Sequence, residues 1–206
     1  TEKVQQVWLG YLNQTRLSNK WGIWVDAHLR TKEDFLSGFS QGIFRTGLTY
    51  YVTDDLKLTA GYAFVNHFPA DNHKNISQPE HRPWQQIQWY EKKNAFTMMQ
   101  WVRLEQRFRG KVEDNELTDE YNFNFRIRYN MAFSIPLKGK KIEPKIPFLF
   151  LNNEIFINFG ENIVNNYFDQ NRLFAGLGYQ FTQHLNAHLG YMYIFQQLPE
   201  GNKYIN

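Results

Sequence analysis

Eleven side chains in this sequence could do electrostatic chemistry, and every one sits on the polar side of an alternating stretch. They are Asp26, His28, Arg30, Arg45, Arg103, Glu105, Arg107, Arg126, Arg128, Glu154 and Arg172. Neighbouring extended strands bring such residues into cross-strand reach. Seven arginines against three carboxylates make either a paired structural network or a positive lumen that passes or holds small anions. A nucleophilic site is poorly supplied. The serines are Ser18, Ser37, Ser40, Ser77 and Ser134, and only Ser134 lies inside a well-patterned strand, with no histidine beside it. His67, His73 and His81, with Asp71 and Glu80, could bind a metal in a long loop, although three loop histidines are more often solvated. His188, beside Asn186, reads as a satisfied polar residue. The expectation is no enzyme, no metal and no cofactor.

The elements that must position these groups are strands. Tyr121, Phe123, Phe125, Ile127, Tyr129, Met131, Phe133 and Ile135 occupy every odd position of residues 121–135, with Asn, Arg, Ala and Ser between them. A strict period of two places one apolar and one polar face along extended chain. Phe96, Met98, Val102, Leu104 and Phe108 alternate less purely with Thr97, Trp101, Arg103, Glu105, Arg107 and Arg109. Ten strands can be read: Val4 to Leu12, then from Trp21, Phe44 and Leu56, a short one from Pro83 through Trp89, the central pair, Ile146 to Phe159, and a last pair from Leu173 and Leu185. Residues 66–83 read as a long loop, 110–120 as an acidic loop, and Pro199 to Asn206 as a polar tail cut off before a closing strand. Short and long connections alternate, as they do in membrane barrels.

Composition narrows the class. The chain has 206 residues, no cysteine, a net charge of +3 and 17% aromatic residues. The expectation is a single domain over residues 1–206. Mean hydropathy is −0.60, with no run of the eighteen apolar residues that a membrane helix needs. Abundant aromatics without long apolar runs fit a β-barrel in which every second residue faces lipid. The small, dispersed charge does not point to nucleic acid. Alternation alone would also suit a soluble barrel, but Gly22, Gly47, Gly61, Gly176, Gly178 and Gly190 lie on the polar face. Glycine weakens an exposed strand face, whereas in a crowded lumen it makes room for a large neighbour such as Trp24 or Tyr51. Arg103, Arg107, Arg126 and Arg128 would each cost about 2–4 kcal/mol facing lipid at the bilayer midplane. They must point inward. The fold expected is all-β, an antiparallel transmembrane β-barrel in the bacterial outer membrane.

The ordered motifs Leu17-Ser18-Asn19-Lys20-Trp21, Arg45-Thr46-Gly47-Leu48-Thr49-Tyr50-Tyr51-Val52-Thr53, Glu80-His81-Arg82-Pro83-Trp84, Arg103-Leu104-Glu105-Gln106-Arg107, Asn153-Glu154-Ile155-Phe156 and Asn171-Arg172-Leu173 span most of the chain. In that order they resemble an uncharacterised family of outer-membrane β-barrels from Gram-negative bacteria. The resemblance implies about twelve strands, with a C-terminal strand that this sequence lacks. It carries no activity. The functional expectation is therefore a non-enzymatic outer-membrane barrel, an accessory or scaffold subunit in contact with outer-membrane lipid, lipopolysaccharide and other outer-membrane proteins. The alternatives are a small anion-selective pore or ligand-binding barrel with an arginine-lined lumen, and an outer-membrane lipid hydrolase.

Overall fold

The computed structural model describes residues 2–32, 38–69, 75–160, 163, 167–198 and 201–205. Its strands form one curled twelve-stranded sheet, with no helix among the described residues. They are β1 (Glu2–Val4), β2 (Trp8–Arg16), β3 (Trp21–Thr31), β4 (Phe39–Tyr51), β5 (Leu56–His67), β6 (Gln78–Lys92), β7 (Thr97–Glu113), β8 (Glu116–Pro136), β9 (Pro147–Phe159), β10 (Phe168–Gln180), β11 (Asn186–Leu198) and β12 (Gly201–Ile205). From β2 to β12 each strand pairs antiparallel with the next. β1 pairs in parallel with β12. That direction follows from the count. Residues 2–16 run along one path, so β1 with β2 acts as a single strand, and an odd number of alternating strands brings the first and last together pointing the same way.

The alternation read from the sequence is the polarity of the sheet. One face carries Asp26, Arg45, Thr49, Trp84, Arg103, Glu105, Arg126, Arg128 and Glu154, all buried. The other exposes Leu48, Leu58, Ile87, Ile127, Leu173 and Leu177. The extremes are Glu105 at 0% exposure and Leu189 at 85%, the reverse of a water-soluble protein. Contacts between strands that are not neighbours close over the polar face. Trp24 of β3 meets Trp84 of β6 edge-on at 5.7 Å, and Arg172 of β10 lies 4.8 Å from the Trp8 ring of β2.

Four expectations are corrected. Residues 78–92 form one long strand rather than the end of a loop followed by a short strand. Pro79 and Pro83 fall on its outer face. Opposite β7, the ladder runs through Glu80↔Arg109 and His81↔Phe108 and resumes at Trp84↔Glu105, with no pair at Arg82 or Pro83. Proline has no N–H to give that ladder, and the strand tolerates the gap without changing register. Residues 110–120 are the end of a long β7–β8 hairpin, not a loop. Asp114 and Asn115 turn it with φ of 49° and 63°, which Asp and Asn adopt more readily than most side chains. The polar tail contains β12, which pairs with the end of β11. The first strand runs Trp8–Arg16 instead of Val4 to Leu12.

Candidate functional site

The interior is built in layers from the even positions of β3, β6 and β8–β10 and the odd positions of β4, β5 and β7. Its floor is aromatic and holds one arginine. The Arg103 guanidinium lies 4.3 Å from the Trp84 ring, 5.0 Å from Trp101 and 5.5 Å from Trp24. Its Nε donates to Gln86 Oε1 at 2.8 Å. Room for Trp84 comes from Gly61, where a Cβ would stand 2.8 Å from that ring. A cation stripped of water and enclosed by three indoles is held by their ring faces rather than by a carboxylate.

Above the floor lies a branched ionic network. Asp26 accepts from Arg45 at 2.6 Å and from Trp24 Nε1 at 2.6 Å, and His28 Nε2 is 3.1 Å away. Glu105 accepts from Arg126 at 2.6 Å and Arg128 at 2.7 Å. Arg128 also bonds Glu154, and Arg126 reaches Asp169 at 3.2 Å. Arg172 approaches Glu154 at 3.8 Å and covers the Phe156 ring at 4.2 Å. Arg107 donates to Glu80 at 2.6 Å, and Arg82 donates to the same carboxylate at 2.8 Å. The eleven residues singled out from the sequence therefore share one interior, and pairing among ions is what burial demands.

Four participants escaped the sequence reading. Glu80 and Arg82 fell inside the supposed loop, Asp169 precedes the strand expected from Leu173, and Trp84 carries no charge. The signal was present: Gln78, Glu80, Arg82, Trp84, Gln86 and Gln88 alternate, and all are buried. The loop-metal arrangement is dismantled. His67 ends β5, buried, with Nε2 2.9 Å from Glu80 Oε2. His81 points to the outer face, bonded to Tyr62. His73 and Asp71 lie outside the described residues. Among the described residues no group of three or more His, Asp or Glu is placed to hold a metal. Ser134 pairs with Thr97 and Phe150 across the sheet. Ser40 is also a buried strand residue, near His67. His67 Nδ1 lies 3.1 Å from the Gln41 amide, and Nε2 lies 2.9 Å from Glu80.

At the end of the sheet that carries the longer loops the network opens into a cavity of about 500 Å3. Arginines dominate its wall, with the amides of Gln41, Asn124 and Asn158 between them and Trp8 and Phe156 at its side.

An inverted β-sheet, apolar outside and ionic within, defines the class of this protein. The chain belongs to the family described as "Protein of unknown function (DUF2490)", whose model matches residues 5–205. No curated protein and no solved structure matches it.

Proposed function

We propose that this protein is a non-enzymatic, non-conducting β-barrel of the Gram-negative outer membrane that acts as an accessory or scaffold subunit. One observation carries the membrane reading: charged residues are buried on the inner face while leucines, isoleucines and aromatics stand exposed on the outer one. In water an apolar surface of that extent drives association. In lipid it is the solvated face. The Arg103–tryptophan floor and the ion pairs above it fill the cross-section, which favours a sealed barrel over a pore.

The outer face also supports a partner. Gln85 and Gln106 exchange amide hydrogen bonds there, at 2.9 and 3.4 Å, beside Ile87 and Leu104. Amides at that depth are costly against hydrocarbon, and each retains a second N–H for another chain. The wall around them would otherwise contact lipid and lipopolysaccharide.

Membrane fractionation and heat-modifiable migration on a gel test the location, and a monomer soluble without detergent would end the proposal. In planar bilayers the barrel should give no conductance steps. Arg126→Glu should lower the temperature of heat modification, because it sets a carboxylate against Glu105 and Asp169. A stable Arg126→Glu barrel that conducts with altered ion preference would instead establish the pore. Pull-down in mild detergent should recover a protein partner, and Gln85→Leu with Gln106→Leu should release it. Repeated recovery of the barrel alone would remove the accessory role.

A further inference from the structure

Arg30 is the arginine of this interior that the ionic network does not explain. It is 8% exposed and lines the cavity. Its Nη1 donates to Gln41 Oε1 at 2.7 Å, and its guanidinium lies 3.7 Å from the Trp8 ring. Its buried Nε has no hydrogen-bond partner, and no carboxylate lies within ion-pair distance of it among the described residues. Arg45, Arg82, Arg107, Arg126, Arg128 and Arg172 each have such a carboxylate. The strongest charges acting on Arg30 are like its own: Arg172, Arg45, Arg128 and Arg82. Arg172 shares the Trp8 ring with it.

A buried cation facing other cations is unfavourable unless an anion completes the arrangement. Arg103, also without a carboxylate, is enclosed by three tryptophans, whereas Arg30 faces an open cavity. We infer that the cavity at the loop end is a binding site for a small phosphate-bearing solute, with Arg30 and Arg172 as its principal ligands and Trp8 as the wall that orients both. Guanidinium matches a phosphate with two parallel N–H bonds. The cavity volume lies in the usual range for small-molecule sites, and polar side chains, Asn124 among them, line the rest of the wall. This site goes beyond the membrane reading and is tested independently of it, since partitioning to the outer membrane and anion binding are separate measurements.

The test uses the full chain in detergent, titrated with inorganic phosphate and pyrophosphate against sodium chloride at matched ionic strength. The expected result is a saturable rise in the heat-modification temperature with pyrophosphate that chloride does not reproduce. Arg30→Gln should weaken that response at least tenfold. Arg30→Lys, which keeps the charge and loses the fork, should fall between. In chloride alone Arg30→Gln should be as stable as the parent or more so, because it removes an unpaired buried charge. A purely structural arginine predicts the opposite, and a less stable Arg30→Gln chain would overturn the proposal, as would a phosphate response equal to that of chloride. If Arg30→Gln does not reach the compact form, the parent chain decides. Pyrophosphate should protect Arg30 from an arginine-specific dicarbonyl reagent, read by mass spectrometry, and an unprotected Arg30 refutes the site.

Discussion

Glu105 stands where three arginines meet, with Arg126 and Arg128 bonded to it and Arg82 at 3.8 Å. Removing its charge leaves guanidiniums facing one another without an anion between them. Breaking a buried pair costs roughly 3–5 kcal/mol, so Glu105→Gln should lower the heat-modification temperature well below that of a surface change such as Glu116→Gln. Equal temperatures for the two would show that water, not Glu105, screens the arginines. A second test concerns space. A Cβ on Gly178 would stand 2.2 Å from the Phe148 ring, and no other group crowds it as closely. Gly178→Ala should therefore destabilise by about 1–3 kcal/mol, the usual cost of overpacking. Combined with Phe148→Ala, it should cost less than the sum of the two changes, by about 1 kcal/mol or more; strict additivity would mean that the clash is relieved elsewhere. The charged half of this interior was legible in the sequence because parity alone sorts Asp26, Arg103, Glu105, Arg126 and Glu154 onto one face. Partner choice was not. Arg126 reaches Asp169 over the width of β9, and parity along one strand says nothing of distances across two.

Among the elements, β8 was plain in the sequence because its alternation runs unbroken over residues 121–135, more than a tilted strand needs to cross a bilayer, and β7 follows it less purely, with Gln100 and Gln106 on the outer face. β6 was hidden by Pro79 and Pro83, which ordinarily argue against a central strand. Both sit at outward positions, and the β5 side of β6 keeps its full ladder from Leu56↔Trp89 to His67↔Gln78. One intact edge holds the strand while the other skips two pairs. The β7–β8 hairpin was missed for a different reason: acidic residues 113–120 look like loop, yet Lys111 bonds Glu113 at 2.7 Å and Glu120 at 2.8 Å and ties the two arms together. The Lys111 partnership holds the Glu120 carboxyl below its usual range. What fixes the turn is the left-handed backbone at Asp114 and Asn115. Asn115→Gly should leave the hairpin intact or tighten it, whereas Asn115→Val should loosen it, because a β-branched side chain fits that backbone poorly, at a cost of roughly 1–2 kcal/mol. Limited proteolysis within residues 110–120 would read the difference, with the remainder of the sheet unchanged. Equal cleavage of both variants would show that Lys111 and its two glutamates hold the hairpin without help from the turn.

At the scale of the whole molecule the sheet is uneven around its circumference. β7 and β8, seventeen and twenty-one residues long, have a neighbour on each side. β12 covers only residues 194–198 of β11, and β1 covers only Lys203 to Ile205 of β12. Residues 186–193 of β11 consequently pair with β10 alone, and β2 pairs with β3 alone, among the described residues. The inner-face residues Asn186 and His188 are exposed at that place, although comparable positions on β9, such as Phe148 and Phe156, are buried. Half of the backbone N–H groups along each of these two segments point away from their one partner strand. In hydrocarbon such groups are costly, and in water they exchange. Hydrogen exchange of the detergent-solubilised chain should therefore be slowest across residues 98–108 and 122–134. It should be fastest along 9–16 and 186–193, with the contrast confined to the half of the wall nearest the short turns, since β12 pairs with β11 and with β1 in the other half. Uniform protection around the sheet would overturn this picture, because it would require a further strand lying along β11 in the register that β12 begins at Ile194↔Ile205.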